Sequence, residues 1–444
     1  MSNGQNSRVE GQKNLSRSIL QTLGRQILVI ALGLGTIVFL ARILGPEGRG
    51  QYAMTLLLST SLAKFLNLGI APANVYFLGQ KRISISVAFA TCLQLWWKLS
   101  LIGTLIGILI IYFKANTWFP STSQFLLYFA LLIFPVSLLQ AYLISLFQGI
   151  QDFKNYNKFL LASPIVTFIV AIILVKFANL GVFGALSASA IGTLIGLLIC
   201  LSALKVYFFA DTFCHDKKYE RKCLSYGWKA HLSNILAFVN YKADIFMVNL
   251  LLSSSDVGTY VIAVSLVERL WLLSSAVSTV TLPRLAALHQ NEIARKTLTP
   301  IIARLVFFST LMGALLLAIF SQKLVFILFG PEFSGASDAI LWLIPGIVVL
   351  SLARALANDI AARGYPELNM YVSIIVVVVN ILSNSFLIPK MGLSGAALAT
   401  SISYISTCIL IMFLYSRLSK NHWWEPIAIQ KQDFKIILRL KKAI

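Results

Sequence analysis

The chain has 444 residues, of which 58% are hydrophobic and only 12% charged, and its mean hydropathy is +0.82. An average soluble chain carries roughly 25% charged residues, so a soluble domain is excluded and a polytopic membrane protein is indicated. The formal net charge of +21 would suit nucleic acid only on a soluble basic domain; none is left once the apolar spans are removed, so nucleic acid is not an expected partner.

The polar start, Met1 to Ser16, precedes no short apolar stretch with a small-residue cleavage site and reads as a retained cytoplasmic arm. Twelve apolar spans follow, at about 22–43, 51–79, 84–113, 121–148, 156–178, 181–209, 228–252, 256–284, 300–320, 336–360, 367–388 and 392–418. Each is long enough to cross ~30 Å of hydrocarbon as a helix. Helices are required, because only helices and closed barrels satisfy the backbone in lipid, and barrel strands do not read as continuous apolar runs.

Six spans lie on each side of a basic loop, Asp211 to Tyr226, which holds Lys217, Lys218, Arg221 and Lys222. The expected organisation is an N-terminal six-helix lobe at 1–209, a cytoplasmic inter-lobe loop at 210–227, a C-terminal six-helix lobe at 228–418 and a basic tail at 419–444. The stretch Leu324 to Phe329, with Gly330-Pro331-Glu332-Phe333 after it, is too short to cross and is expected at the outer surface. In the tail, Trp423, Trp424, Ile427, Phe434 and Ile437 alternate with Lys431, Lys435, Arg439, Lys441 and Lys442. That pattern reads as an interfacial helix on an anionic leaflet, with a solvated tail as the alternative.

The two halves repeat. An apolar run from Ile27 to Leu40, a turn through Gly45-Pro46-Glu47 and then Gly50-x-Tyr52 match Ile245 to Leu252, the turn Ser253 to Asp256, and Gly258-x-Tyr260, at an offset of 208. Gly181-Val182-Phe183-Gly184-Ala185 matches Gly392-Leu393-Ser394-Gly395-Ala396 at an offset of 211. Order as well as letters recurs, which marks a duplicated unit; an even number of spans per half keeps the repeats parallel.

Cys92, Cys200 and Cys408 lie in apolar runs, and Cys214, His215 and Cys223 in a polar loop lack a fourth ligand at zinc-like spacing, so neither disulfides nor a metal site is expected. Lys and Arg divide 26 to 6 between the two sides if the N-terminus is inside. By the positive-inside rule both ends are then cytoplasmic, in a cell inner (plasma) membrane.

Ionisable residues within spans are costly and mark function. They are Lys64, Lys98, Lys242, Asp244, Glu268, Arg269, Asp338, Arg354 and Asp359. Between Glu10 and Asp211 the only acids are Glu47 and Asp152, both in loops. Lys64 and Lys98 therefore lack a carboxylate in their own half, which favours an anionic substrate; packing beside backbone carbonyls is the alternative for Lys64. Lys242 and Glu268 lie at similar depth, as do Asp244 and Arg269, so interhelical pairing is expected. Such pairs either hold helices in register or form a gate in which Asp244 or Glu268 changes protonation. Asn240 and Asp244 share a helix face, and Lys242 is turned away from both.

Leu23-Gly24-Arg25-Gln26, the Gly45-Pro46-Glu47-x-x-Gly50-x-Tyr52 turn, the Asn67-Leu68-Gly69-Ile70-Ala71 break, Asn240-x-x-x-Asp244 and Gly258-x-Tyr260 resemble the polysaccharide-transporter family. This family of Wzx-type oligosaccharide flippases lies within the multidrug/oligosaccharidyl-lipid/polysaccharide exporter superfamily. The resemblance implies an all-α membrane fold of twelve helices in two V-shaped, MATE-like lobes. It implies a cavity lined by Arg25, Lys64, Asn240, Asp244, Glu268 and Arg269, and an undecaprenyl-diphosphate-linked glycan as cargo, with membrane lipids and glycan assembly enzymes as further partners. Arg25, Lys64, Asn240 and Arg269 would bind substrate, and Lys242, Asp244 and Glu268 would gate or couple protons. No cofactor or enzymatic activity is expected, and no Gly-x-x-x-x-Gly-Lys-Ser/Thr phosphate loop is present. Two alternatives stand beside this reading: a MATE-like cation or drug antiporter, and a membrane glycan polymerase or ligase.

Overall fold

The computed structural model describes residues 2–207, 216–272, 292–428 and 430, with side chains described from Leu28 onward except at 229, 230, 293 and 294. Among these residues the chain is all-α, with no strand, and it divides into two compact units, 1–235 and 236–444.

Helix α1 (Ser2–Phe65) carries one non-helical residue, Gly45, at φ 65° and ψ 180°. Only glycine enters that region without steric cost, and Pro46 then restarts the helix where its missing N–H is not needed. The turn expected through Tyr52 thus contracts to a single residue between arms 2–44 and 46–65. The second arm stops before Leu68 (φ 50°) and Gly69 (φ 70°), and the chain resumes as α2 (Ile70–Gly79).

Three side-chain caps start the next helices. Ser84 accepts the Val87 N–H at the start of α3 (Ile85–Trp118), Ser123 that of Leu126 before α4 (Gln124–Gly149), and Asp152 that of Asn155 before α5 (Phe153–Ala171). Helix α5 continues through a π-helical turn, Ile172–Phe177, and α6 (Gly181–Leu204) follows. Helix α3 is apolar on two faces. Leu99, Gly103, Gly107, Ile111 and Ala115 are buried, whereas Leu101, Leu105, Leu109 and Phe113 are exposed. The glycines let α3 approach Phe134 and Leu131 of α4; the outward leucines belong in lipid.

Helix α7 (Lys217–Leu251) begins in the first unit and ends in the second. Residues 217–227, read from the sequence as loop, are its first turns. Helix α8 (Ser254–Val267) opens on a capping box between Ser253 and Asp256 and passes into a 3-10 turn, Glu268–Leu270. Helices α9 (Glu292–Phe329) and α10 (Gly335–Ala362) pack together, and α11 (Pro366–Ser419), broken at Gly392 (φ 58°, ψ −133°), packs on α10. Residues 324–329, expected as a separate surface piece, are instead the last turns of α9, because no breaker precedes Gly330.

Eight helices among the described residues are long and apolar enough to cross a membrane. Gly45 and Gly392 each split one of them, and α7 and α8, the latter with its continuation described to Leu272, supply the remaining two of the expected twelve spans.

The repeat is visible in atoms. Gly181 (φ 53°) and Gly392 (φ 58°) open matching arms. Three residues on, a Cβ at Gly184 would lie 3.0 Å from the Leu174 carbonyl oxygen, and one at Gly395 would lie 2.2 Å from that of Leu387. Both positions need glycine because backbone passes against backbone.

Candidate functional site

The repeated tyrosines anchor equivalent hydrogen bonds. In the first unit Tyr52 OH lies 2.8 Å from Ser189 Oγ, and in the second Tyr260 OH lies 3.1 Å from Thr400 Oγ1. Tyr260 matches Tyr52 at an offset of 208, and Thr400 matches Ser189 at 211. What differs is the charge beside them. The Arg49 guanidinium sits 5.1 Å from the Tyr52 ring centroid. In the second unit the Asp244 carboxylate takes its place beside Tyr260. Asp244 replaces Thr36 of the first unit, whose hydroxyl only bonds back to the Leu32 carbonyl.

Asp244 is 2% exposed. Its Oδ2 accepts from Tyr260 OH at 2.9 Å and from Thr400 Oγ1 at 3.2 Å, and its Oδ1 accepts from the Ile245 N–H at 2.8 Å. Asp244 Oδ2, Tyr260 and Thr400 form a triangle with three edges of hydrogen-bond length. With the acid ionised, the two hydroxyls supply only two hydrogens for those edges. A neutral carboxyl supplies the third and closes a ring in which each group donates once and accepts once. The site therefore accommodates either protonation state with small rotations of hydroxyls.

The expected ion pairs of this region do not form: Asp244 is held by hydroxyls, not by Arg269, and no contact of ion-pair length joins Lys242 to Glu268. Hydroxyl donors on α8 and α11 reach the carboxylate directly, which pairing by depth along two helices could not reveal. Lys242 and Glu268 are half-buried. Arg354 is the fixed cation here, donating to Tyr241 OH at 2.8 Å and lying 3.9 Å from the Trp271 ring centroid. Asn240 Oδ1 and Arg269 Nε are buried without a hydrogen-bond partner among the described residues. Such groups call for a ligand or water to complete them.

In the first unit, Lys64 is exposed in the last turn of its arm, just before the break at Leu68-Gly69, with no partner among the described residues. Lys98 is half-buried on α3 beside the exposed Trp97. Arg25 lies on α1, but its side chain is outside the described residues, as are Cys214, His215 and most of the tail. Of the other span acids, Asp338 is exposed at the first turn of α10. Asp359 is fully buried in an ion network: Arg295 Nε at 3.2 Å and Arg363 Nε at 2.6 Å flank it, Thr299 donates at 3.1 Å, and Arg363 Nη1 reaches Glu292 at 2.7 Å. That network is architectural, tying α9 to the end of α10.

Sequence reasoning missed a buried network in the first unit. Asn74 Nδ2 donates to Ser145 Oγ at 3.0 Å and Cys92 Sγ at 3.1 Å, and its Oδ1 accepts from Tyr219 OH at 2.9 Å. Tyr142 OH caps the Leu66 and Asn67 carbonyls freed by the helix break, at 3.3 and 3.2 Å. A signal was available: Tyr219, Cys223, Gly227 and His231 recur every fourth residue, the mark of a buried helix stripe.

Residues 15–289 match the polysaccharide biosynthesis protein family. A probable low-salt glycan biosynthesis flippase of Haloferax volcanii is 27% identical over 218 residues, covering 45% of this chain and 45% of its own length, so the likeness spans just under half of either protein. Among solved structures, a lipid II flippase in an inward closed conformation superposes with TM-score 0.73 at 18% identity, over 89% of this chain and 87% of the other. An inward-facing multidrug resistance MATE family transporter of the MOP superfamily gives TM-score 0.68 at 14% identity, over 90% and 98%. The fold is thus that of the superfamily expected from the motifs.

Proposed function

Because the chain belongs to the polysaccharide biosynthesis protein family, we propose that it is a flippase that carries a lipid-phosphate-linked glycan precursor from the inner to the outer leaflet by alternating access. The observation that carries this reading is Lys64: a cation without a carboxylate partner among the described residues, at the far end of its arm from Glu47, which stands in that arm's first turn. Phosphate is the ligand such a cation lacks. The cargo is an undecaprenyl-diphosphate-linked glycan, with Arg25, Lys64, Asn240 and Arg269 holding its charged and polar head. The membrane is the plasma membrane, both termini are cytoplasmic, and transport needs no enzymatic step on the sugar. With the cytoplasm negative, each elementary negative charge moved fully outward gains about 2.3 kcal/mol per 100 mV, so a diphosphate supplies its own driving force. Asp244, Lys242 and Glu268 form the gate, and the Asp244–Tyr260–Thr400 ring is its protonatable part.

A second reading, a cation antiporter, is favoured by that same buried carboxylate. One experiment separates the two. The purified chain is reconstituted in vesicles with a fluorescent prenyl-diphosphate-linked glycan, with and without an imposed potential. Translocation should be accelerated by an outside-positive potential and lost in Lys64→Ala while the protein stays folded in the membrane. Undiminished translocation in that variant overturns the anchor, and drug export without glycan movement overturns the reading.

A further inference from the structure

The first turns of α7 make a second site, away from the span residues above. They are pinned within the first unit at four points, three of them on the buried stripe. Tyr219 bonds Asn74 at 2.9 Å, and the Phe77 ring centroid lies 5.7 Å from that of Tyr219. Gly227 lies against the Gly69 backbone, where a Cβ would come within 2.6 Å of the Gly69 carbonyl oxygen. His231 Nε2 lies 3.0 Å from the Phe65 carbonyl oxygen. Tyr226 stacks on Tyr76 with centroids 4.4 Å apart and planes 16° apart.

With that stripe fixed inward, Arg221 and Lys222 are turned outward, and among the described residues neither has a partner. With Phe77, Ser225 and Tyr226 they line a cavity of about 410 Å³. Its chemistry is specific. Two cations and a hydroxyl stand over a wall made by an aromatic pair, and the adjacent Glu220 is half-buried and does not line it. Of that pair Phe77 belongs to α2, which closes the second span, and Tyr226 to α7, where the neighbouring Trp228 is 56% exposed. Aromatic side chains flanking cations in this way sit at the level of lipid headgroups.

We propose that this cavity binds a phosphate group borne on a membrane lipid: Arg221 and Lys222 take the phosphate oxygens, Ser225 donates to one of them, and Tyr226 and Phe77 pack against the hydroxylated part of the head. A preorganised helix face holds these donors, so the site binds tighter than diffuse attraction to an anionic surface would. The inference stands apart from transport, because binding is read without translocation.

The test uses the full chain in phosphatidylcholine nanodiscs. Phosphatidylglycerol, a short-chain prenyl diphosphate and inorganic phosphate are offered separately, and retained ligand is counted by mass spectrometry of the intact complex. Arg221→Gln with Lys222→Gln should lower lipid-phosphate retention about tenfold, whereas Lys217→Gln with Lys218→Gln, the same charge change outside the cavity, should alter it less than about twofold. Tyr226→Ala, which removes a wall and no charge, should also reduce retention. Retention of phosphatidylglycerol assigns the site to bulk anionic lipid, and retention of the prenyl diphosphate alone assigns it to a cargo-like head; both support the proposal. Equal losses from the two paired substitutions, or full retention in all variants, overturn it. So does inorganic phosphate bound as well as the lipids.

Discussion

Replacing Asp244 by Asn tests the hydrogen count at the buried triangle. In the wild type, Oδ2 receives Tyr260 at 2.9 Å and Thr400 at 3.2 Å while Oδ1 receives the Ile245 N–H at 2.8 Å. With its oxygen kept on Ile245, an asparagine can donate to Thr400 as a neutral acid would, and Thr400 can then donate to Tyr260. Its nitrogen cannot accept, so the Tyr260 hydrogen is orphaned. One unsatisfied buried donor costs about 1–3 kcal/mol. Flipping the amide moves the conflict to the Ile245 N–H and gives a similar figure. Asp244→Leu removes the acid altogether and leaves the two hydroxyls, 3.1 Å apart, to make one hydrogen bond with one hydroxyl hydrogen left over, so it should cost about as much as Asp244→Asn. The assay is thermal unfolding in detergent alongside glycan translocation in vesicles across pH. Both variants should remain folded, lose the pH dependence of translocation and turn over at least about tenfold more slowly, since a proton step can no longer trigger the gate. A wild-type pH profile in Asp244→Asn would refute the proton role. Destabilisation beyond about 4 kcal/mol would refute the hydrogen count, because it would mean that the site depends on a fixed charge.

Gly227→Ala places a methyl group 2.6 Å from a backbone oxygen and should cost about 3 kcal/mol by detergent denaturation; Gly364→Ala, at φ 90° but in open space, should cost only about 1–2 kcal/mol. Asp359→Ala leaves Arg295, 3% exposed, without its counter-charge and should destabilise the second unit by about 3–5 kcal/mol, with part of the loss recovered when Arg295 is also replaced by Leu. At the start of α5, burial alone would raise the Asp152 carboxyl, but hydrogen bonds from Tyr207 OH at 2.7 Å and from Asn155 outweigh it and hold the carboxyl below its ordinary range. A carboxyl so depressed stabilises the fold above its unfolded value and loses that contribution as pH falls through the folded one. Asp152→Ala should therefore cost about 1 kcal/mol at neutral pH, and its gap from the wild type should narrow below about pH 4. A gap that widens in acid would reverse the assignment.

Class, span number and duplication were legible in the chain alone, because lipid leaves the backbone little choice: twenty apolar residues must be a helix, and Gly45-Pro46 or Gly392 must interrupt one. The repeat offset even identified Tyr52 and Tyr260 as equivalent before any partner was known. Those partners were the part that only tertiary structure decided. Ser189 and Thr400 lie 137 and 140 residues from their tyrosines, and Asp244 was expected against a cation until α8 and α11 brought hydroxyls to it. The same holds for Asp359, read as a possible functional acid and found between two arginines, and for residues 217–227, whose four-residue stripe has meaning only against α2. Periodicity along one helix reports which face is buried; which polar atom on another helix meets that face depends on how the helices pack, and that is not written in the spacing.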